Sequence, residues 1–130
     1  MNTLPIVLKN STILLIGGGK VALQKARVMS DNNINFKVIT KNTDENMISL
    51  SGGITIKAFE TNDLEGFGIV IDATGDPEVA EKLMEYKKQN TILLNVVDRP
   101  ELCDFYFAAL VKRGLLKVAV SSSGASPTIA

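Results

Sequence analysis

The 130-residue chain contains no histidine and a single cysteine. Without histidine there is no Ser–His or Cys–His nucleophile pair, no imidazole base and no histidine metal ligand. Acid–base chemistry therefore falls to carboxylates, lysine, tyrosine or the one cysteine, and no protein-held metal is expected. One cysteine excludes an internal disulfide, which fits a reducing cytoplasm. An excess of charge of either sign is also missing: Lys plus Arg number 14, and so do Asp plus Glu. That balance supplies no overall field to attract nucleic acid or an anionic membrane. No apolar run approaches a membrane span, and the N-terminus lacks a signal-peptide pattern. What is present is a globular composition, 45% hydrophobic, in a length suited to one domain with a real core. The expectation is a cytoplasmic protein with neither nucleic-acid nor membrane partner.

The chain is organised around Ser11 to Arg27, STILLIGGGKVALQKAR. Ile13-Leu14-Leu15-Ile16 is an uninterrupted apolar run, as suits a strand buried on both faces of a parallel sheet. Gly17, Gly18 and Gly19 follow, and then a helical pattern. From Gly17 the spacing is G-x-G-x-x-A, with Ala22 as the small residue that lets the helix sit close to the strand. The free N–H groups and positive dipole end of that helix then face the loop, where a pyrophosphate would sit. A glycine-rich turn without a ligand is the competing reading. The strand before and helix after favour a dinucleotide.

The rest of the chain alternates in the same way. Val21 to Ser30 is expected as the first helix, ended by a turn at Asp31-Asn32-Asn33, and Phe36 to Thr40 as the second strand. Thr43 to Leu50 reads as a helix with Thr43 as N-cap and Asp44-Glu45 in its first turn. Ile54 to Ala58 alternates as a third strand, Thr61 to Glu65 is a short turn or helical piece, and Ile69 to Ile71 is a fourth, buried strand. Asp76 as N-cap and Pro77 at the first position open a helix to Lys88, in which Glu78 and Lys82 can pair across a turn. Thr91 to Val97 is a fifth strand and Leu115 to Val120 a further one; between them, Phe105 to Val111 is strand or helix, undecided by its period. Ser126-Pro127 reads as the start of another helix. The order is that of an α/β fold with a doubly wound parallel sheet.

Such sheets bind ligands beyond the carboxyl ends of their strands, at the switch between the two halves. Gly17 to Val21, Ala73 to Asp76 and Asp98-Arg99 should meet there. Thr74 either contacts a cofactor or makes a helix-entry hydrogen bond. Asp98 either faces the substrate or is a turn residue. No acidic residue ends the second strand; Thr40-Lys41-Asn42 stands there instead. Lys41 suits the 2′-phosphate of NADP, while Asn42 and the backbone suit a plain ribose, so the motif leaves that choice open. Cys103, in the apolar-flanked Leu102-Cys103-Asp104-Phe105, reads as a buried structural cysteine rather than a nucleophile. Ser121-Ser122-Ser123-Gly124 is an anion site or an exposed polar turn.

GGGKVALQKA, IDATGDPEVA, LLNVVDRPELCDFYF and RGLLKVAVSSSGASPTIA, in this order, closely resemble the precorrin-2 dehydrogenase/sirohydrochlorin ferrochelatase family, the N-terminal module of siroheme synthases. The resemblance starts at Leu4-Pro5 and covers nearly the whole chain. It implies a Rossmann domain over residues 1–113 and the start of a dimerisation region over 114–130. It implies NAD as cofactor, precorrin-2 as substrate, oxidation to sirohydrochlorin and, in bifunctional members, insertion of Fe²⁺ as a lyase. It implies a homodimer, with family members continuing for several tens of residues past the equivalent of Ala130. The family's catalytic aspartate matches Asp98. Its NAD-binding positions match Lys20, Val21, Lys41 and Asn42, beside the glycine loop and Thr74. Asp72, Gly75 and Ser123 depart from the family's more usual residues. Arg99, Lys20 and Arg113 are candidates to hold the substrate's carboxylates. A Rossmann module that only senses NAD(H) is the alternative from another functional class.

Overall fold

The computed structural model describes residues 3–9, 11–42 and 45–121. Thr43 and Asp44, the Ser122-Ser123-Gly124 stretch and the helix start at Ser126-Pro127 lie outside the described residues. By its internal contacts the chain divides into two compact units, one running from Leu8 to Phe105 and the other formed by Met1–Val7 with Tyr106–Ala130.

The larger unit is built on β1 (Thr12–Ile16), α1 (Lys20–Asp31), β2 (Asn35–Thr40), α2 (Glu45–Leu50), β3 (Ile54–Ile56), β4 (Ile69–Asp72), α3 (Pro77–Lys87) and β5 (Leu93–Val96). Single 3₁₀ turns at Thr61–Leu64 and Pro100–Leu102 complete it. The five strands pair in the order β3-β2-β1-β4-β5, all parallel. The chain therefore winds outward from β1 to β3, returns across β1, and winds the other way to β5. That reversal is the doubly wound topology expected from the sequence, with its switch point between β1 and β4.

β1 is the centre because its side chains can be buried on both faces. Ile13, Leu14, Leu15 and Ile16 are at most 4% exposed. Leu14 and Ile16 join Val70, Leu94 and Val96 against Val79, Ala80 and Leu83 of α3 and Leu64 of the first 3₁₀ turn. With a period of two, Ile13 and Leu15 face the opposite side, where α1 buries Ala22, Ala26 and Met29. One apolar run thus serves two helical layers.

The helix boundaries follow their local chemistry. α3 opens as expected: the Asp76 carboxylate accepts the Glu78 N–H at 2.9 Å, and Pro77 occupies the first turn. Lys82 donates to the Phe59 carbonyl at 3.4 Å rather than pairing with Glu78. α1 runs one residue further at each end than its apolar pattern suggests, through Lys20 and Asp31. It closes at Asn32 and Asn33, the latter in the left-handed region at φ 58°. β5 is shorter than the apolar stretch that announced it. Its outer edge is covered by the following segment, where Asp104 exchanges hydrogen bonds with Leu94 and the Asn95 amide donates to the Phe105 carbonyl. A covered edge cannot recruit a foreign strand.

In the smaller unit, β6 (Ala109–Arg113) and β7 (Leu116–Val120) form an antiparallel hairpin. Gly114, at φ 58°, takes the first position of the two-residue connection, where this geometry favours glycine. The stretch from Phe105 that the period left undecided is therefore a strand from Ala109, and what decides it is pairing with β7.

Leu83, fully buried between α3 and the sheet, tests this core. Leu83→Ala should lower the unfolding free energy by about 2–5 kcal/mol, read from denaturant titration, because a cavity adds to the lost transfer energy.

Candidate functional site

The carboxyl ends of four strands stand in one row. Ile16 is in register with Ile39 on β2 and with Asp72 on β4, and Asp72 with Val96 on β5. At parallel-sheet spacing, the ends of β1 and β5 are about 10 Å apart. Every residue expected at the site lies just beyond this row: Gly17 to Val21 after β1, Lys41 and Asn42 after β2, Thr74 after β4 and Asp98 after β5.

The glycine loop is wedged between its neighbours. The Gly17 N–H donates to the Ile39 carbonyl at 2.9 Å, and the residue sits at φ 121°. A Cβ there would lie 2.9 Å from the Ala73 carbonyl oxygen. A Cβ on Gly18 would run into the Asn42 carbonyl oxygen and come within 2.5 Å of the Thr40 hydroxyl. Both contacts are with backbone or a buried side chain, so neither position tolerates a larger residue without movement. Gly19 differs. Nothing lies within 4 Å of the Cβ position, and the residue caps α1 with no side chain between the helix end and the space above it. The first turn of α1 holds no acidic residue, and Lys20 and Val21 are exposed. Four leading amides without partners inside the helix, an adjacent lysine and open space together fit a pyrophosphate.

The end of β2 is shaped by Thr40. This buried hydroxyl donates to the Asn42 carbonyl at 2.5 Å and accepts the Asn42 N–H at 3.3 Å. The turn so formed brings the Asn42 backbone against Gly18 and leaves the Lys41 and Asn42 side chains exposed. Sequence reasoning passed over Thr40 as a shaping residue. A threonine ending a strand two residues before a close glycine approach is the signal that was there.

After β4, Asp72 is the group that sequence reasoning did not place. It is 1% exposed, and its carboxylate accepts the Thr74 N–H at 3.0 Å and the Thr74 hydroxyl at 2.6 Å. Burial raises its pKa above the ordinary 3.8, Thr74 pulls it back, and the nearby charge of Asp76 adds to the rise. Thr74 in turn accepts the Asp76 N–H at 3.1 Å. The Thr74 hydroxyl is thus engaged on both sides, as the helix-entry reading has it. Asp72, Thr74 and Asp76 make one chain of hydrogen bonds that sets the loop on which Ala73 meets Gly17.

Beyond β5, the Val97 N–H donates to the Asp72 carbonyl at 3.0 Å and the Arg99 N–H to the Val96 carbonyl at 3.1 Å. The tight turn holds Asp98 exposed and at φ 65°, a left-handed backbone uncommon outside glycine and tolerated by aspartate. Cys103 braces this turn from below: its Sγ donates to the Val96 carbonyl at 3.2 Å and accepts the Val96 N–H at 3.3 Å. The structural use is the expected one, but the residue is half-buried rather than buried, because the turn it braces lies at the surface. Arg99 Nε pairs with Glu101 at 2.5 Å on the exposed side. Lys25, half-buried on α1, has its pKa lowered by burial, with Cys103 pulling it upward. Arg113 belongs to the hairpin unit and Lys20 to the helix start. Among the described residues no cluster of three metal-ligating side chains occurs, and no helix is long and apolar enough to cross a membrane.

Comparison with known proteins places this geometry. A family model described as "Putative NAD(P)-binding" matches residues 4–109. The whole chain aligns with siroheme synthases: 35% identical over 136 residues with that of Pseudomonas entomophila, and 38% over 134 residues with that of Ectopseudomonas mendocina. The siroheme synthase of Methylococcus capsulatus is 38% identical over 136 residues. The chain spans 29% of the length of each of these relatives. Among solved structures, one described as SirC, precorrin-2 dehydrogenase, superposes with a TM-score of 0.80 at 23% identity. That match covers 98% of this chain and 64% of the other, and it shows a shared fold.

Two substitutions probe the row of strand ends. Gly18→Ala should destabilise the domain by about 1–3 kcal/mol in denaturant titration, by the cost of overpacking against the Asn42 backbone. For Asp72 the folded pKa exceeds the unfolded one, so folding favours its protonated form. Compared with Asp72→Asn, the wild-type chain should lose stability as pH rises from about 3.8 through the raised value, and the difference should then level off. Parallel unfolding titrations across that window measure it.

Proposed function

This chain belongs to the NAD(P)-binding family, and from that membership we propose that it oxidises precorrin-2 to sirohydrochlorin in siroheme biosynthesis. The observation that carries the reading is a single row. A glycine loop, an exposed aspartate in a left-handed turn and the loop from β4 to α3 converge on one sheet edge, in a chain that aligns end to end with siroheme synthases.

The reaction removes two hydrogens from precorrin-2, one as hydride and one as a proton, and forms a conjugated double bond. A bound nicotinamide dinucleotide supplies the hydride acceptor. The chain's own work is to hold that cofactor and the tetrapyrrole together and to receive the proton. Gly17, Gly18 and Gly19 let the backbone approach the pyrophosphate, and the leading amides of α1 with Lys20 and Val21 bind it. Lys41 and Asn42 take the adenosine ribose. Asn42 and the backbone after β2 suit a plain ribose, and the family resemblance implies NAD rather than NADP. Thr74 shapes the opposite half of the cleft.

Asp98 is the catalytic residue on this reading. The residue is exposed in the turn after β5, on the opposite side of the switch point from the ribose loop. From there it takes the proton or orients the ring nitrogens of the substrate. Within the sheet unit, Lys20 and Arg99 are the candidates to hold the substrate's carboxylates. In a bifunctional member, Asp98 also receives pyrrole protons as Fe²⁺, a substrate, enters the macrocycle. The stretch from residue 114 onward opens a dimerisation region, and the enzyme works in the cytoplasm as a homodimer.

Asp98→Ala should lower precorrin-2 oxidation by at least about a hundredfold while leaving NAD affinity within a few-fold, as loss of a general base does. Anaerobic incubation with precorrin-2 and NAD, followed by absorbance, reads the first quantity, and calorimetry the second. Unchanged oxidation would remove Asp98 from the mechanism. Nucleotide binding with no tetrapyrrole turnover in the wild type would point to an NAD(H)-sensing module instead. Adding Fe²⁺ to the same assay decides whether the chelatase step is present.

A further inference from the structure

We infer that Asp72 is a positioning residue that makes the site discriminate between oxidation states of the cofactor, binding NAD⁺ in preference to NADH. The inference rests on the proposed dinucleotide-dependent oxidation and adds a residue to it.

Three observations point this way. The first is burial without a cation. Asp72 is 1% exposed, its donors are the Thr74 amide and hydroxyl, and no lysine or arginine forms an ion pair with it among the described residues. Two neutral donors leave the net negative charge in place, and a buried charge in a low-dielectric surround acts further than one in water.

The second is position. Asp72 ends β4, in register with Ile16 of β1 and Val96 of β5, so it sits on the far side of the switch point from β2. In a doubly wound sheet the adenosine half lies toward β2, and the other half of the dinucleotide crosses to the β4 side. The Ala73 carbonyl beside Gly17, and the Val97 amide that donates to the Asp72 main-chain carbonyl, tie the backbone of this strand end to both loops that border the cleft, and the carboxylate is fixed there by its two hydrogen bonds from Thr74.

The third is chemistry. The nicotinamide ring of NAD⁺ carries a positive charge that disappears when it accepts hydride. A fixed buried anion beneath that half of the cleft attracts the oxidised ring and has no matching attraction for the reduced one. The consequence is tight capture of the oxidant and easy release of the reduced product, at some cost to the driving force of hydride transfer in the complex. A glutamate or aspartate on the surface would be screened and could not do this.

A merely structural role is separable. If Asp72 only anchors Thr74, its loss loosens the loop and weakens every ligand of the cleft alike. The experiment is calorimetric titration of wild type and Asp72→Asn with NAD⁺, NADH and ADP-ribose, which lacks the nicotinamide. The asparagine oxygen can still accept from Thr74 while the charge is gone. The expected result is that NAD⁺ affinity falls about tenfold, with NADH and ADP-ribose within about twofold. Equal loss for all three, or no change in the NAD⁺-to-NADH ratio, overturns the inference and leaves the dehydrogenase reading standing. Failure of the wild type to bind any of the three overturns both. If the asparagine variant does not fold, Asp72→Ala carries the same ratio test, with the same shift expected.

Discussion

The structure depends on how closely two backbones approach at the end of β1. Gly17 sits against the Ala73 carbonyl and Gly18 against the Asn42 carbonyl, with no room for a Cβ at either. Those two contacts join the loop after the central strand to the loops on both sides of the switch point. Without them the ends of β2, β1 and β4 would not close around a common cleft. Short polar residues then hold each flank. Thr40 folds the Asn42 backbone inward, and Asp72 with Thr74 and Asp76 sets the other loop and starts α3. Almost every polar interaction of the site therefore positions backbone rather than reaching outward.

Against that arrangement Asp98 stands out. Its carboxylate takes no part in bracing the loops, whereas the neighbouring Cys103 and Asp104 hold β5 and the turn beneath it. The division of labour has a physical basis. On the proposed function, a group that meets a changing substrate is best left uncommitted, and here the scaffold is built by other side chains. The left-handed backbone at Asp98 is consistent with a residue presented for contact and over-determined by the turn around it.

Much of this was legible from the residues. Four consecutive apolar side chains before three glycines require a strand buried on both faces, then a loop that approaches its neighbours, then a helix start. Asp76-Pro77 marks the beginning of α3 because a carboxylate cap and a fixed φ act locally. The strand ends at Ile16, Thr40, Asp72 and Val96 lie within a residue of where the apolar runs stop. The motif's spacing and its flanking elements identify a dinucleotide cleft for the same reason: each depends on a few residues adjacent in sequence.

Other features belong to tertiary structure. The period of Phe105 to Val111 left strand and helix equal, and pairing with β7 across Gly114 decided between them. Lys82 donates to the Phe59 carbonyl rather than pairing with Glu78, a partner 23 residues away that helical spacing does not reveal. Cys103 became a brace because the 3₁₀ turn at Pro100–Leu102 returns its sulfur to Val96. Asp72 is the clearest case. In sequence it is one carboxylate at a strand end, no different from many solvated ones. Burial at the end of β4, between the ends of β1 and β5, leaves it without an ion-pair partner among the described residues. The sequence by itself determined the strands, the helix starts and the place of the glycine loop between them, because those rest on local backbone chemistry. Only the tertiary structure decided which polar groups lose their water, because desolvation depends on everything packed around a side chain.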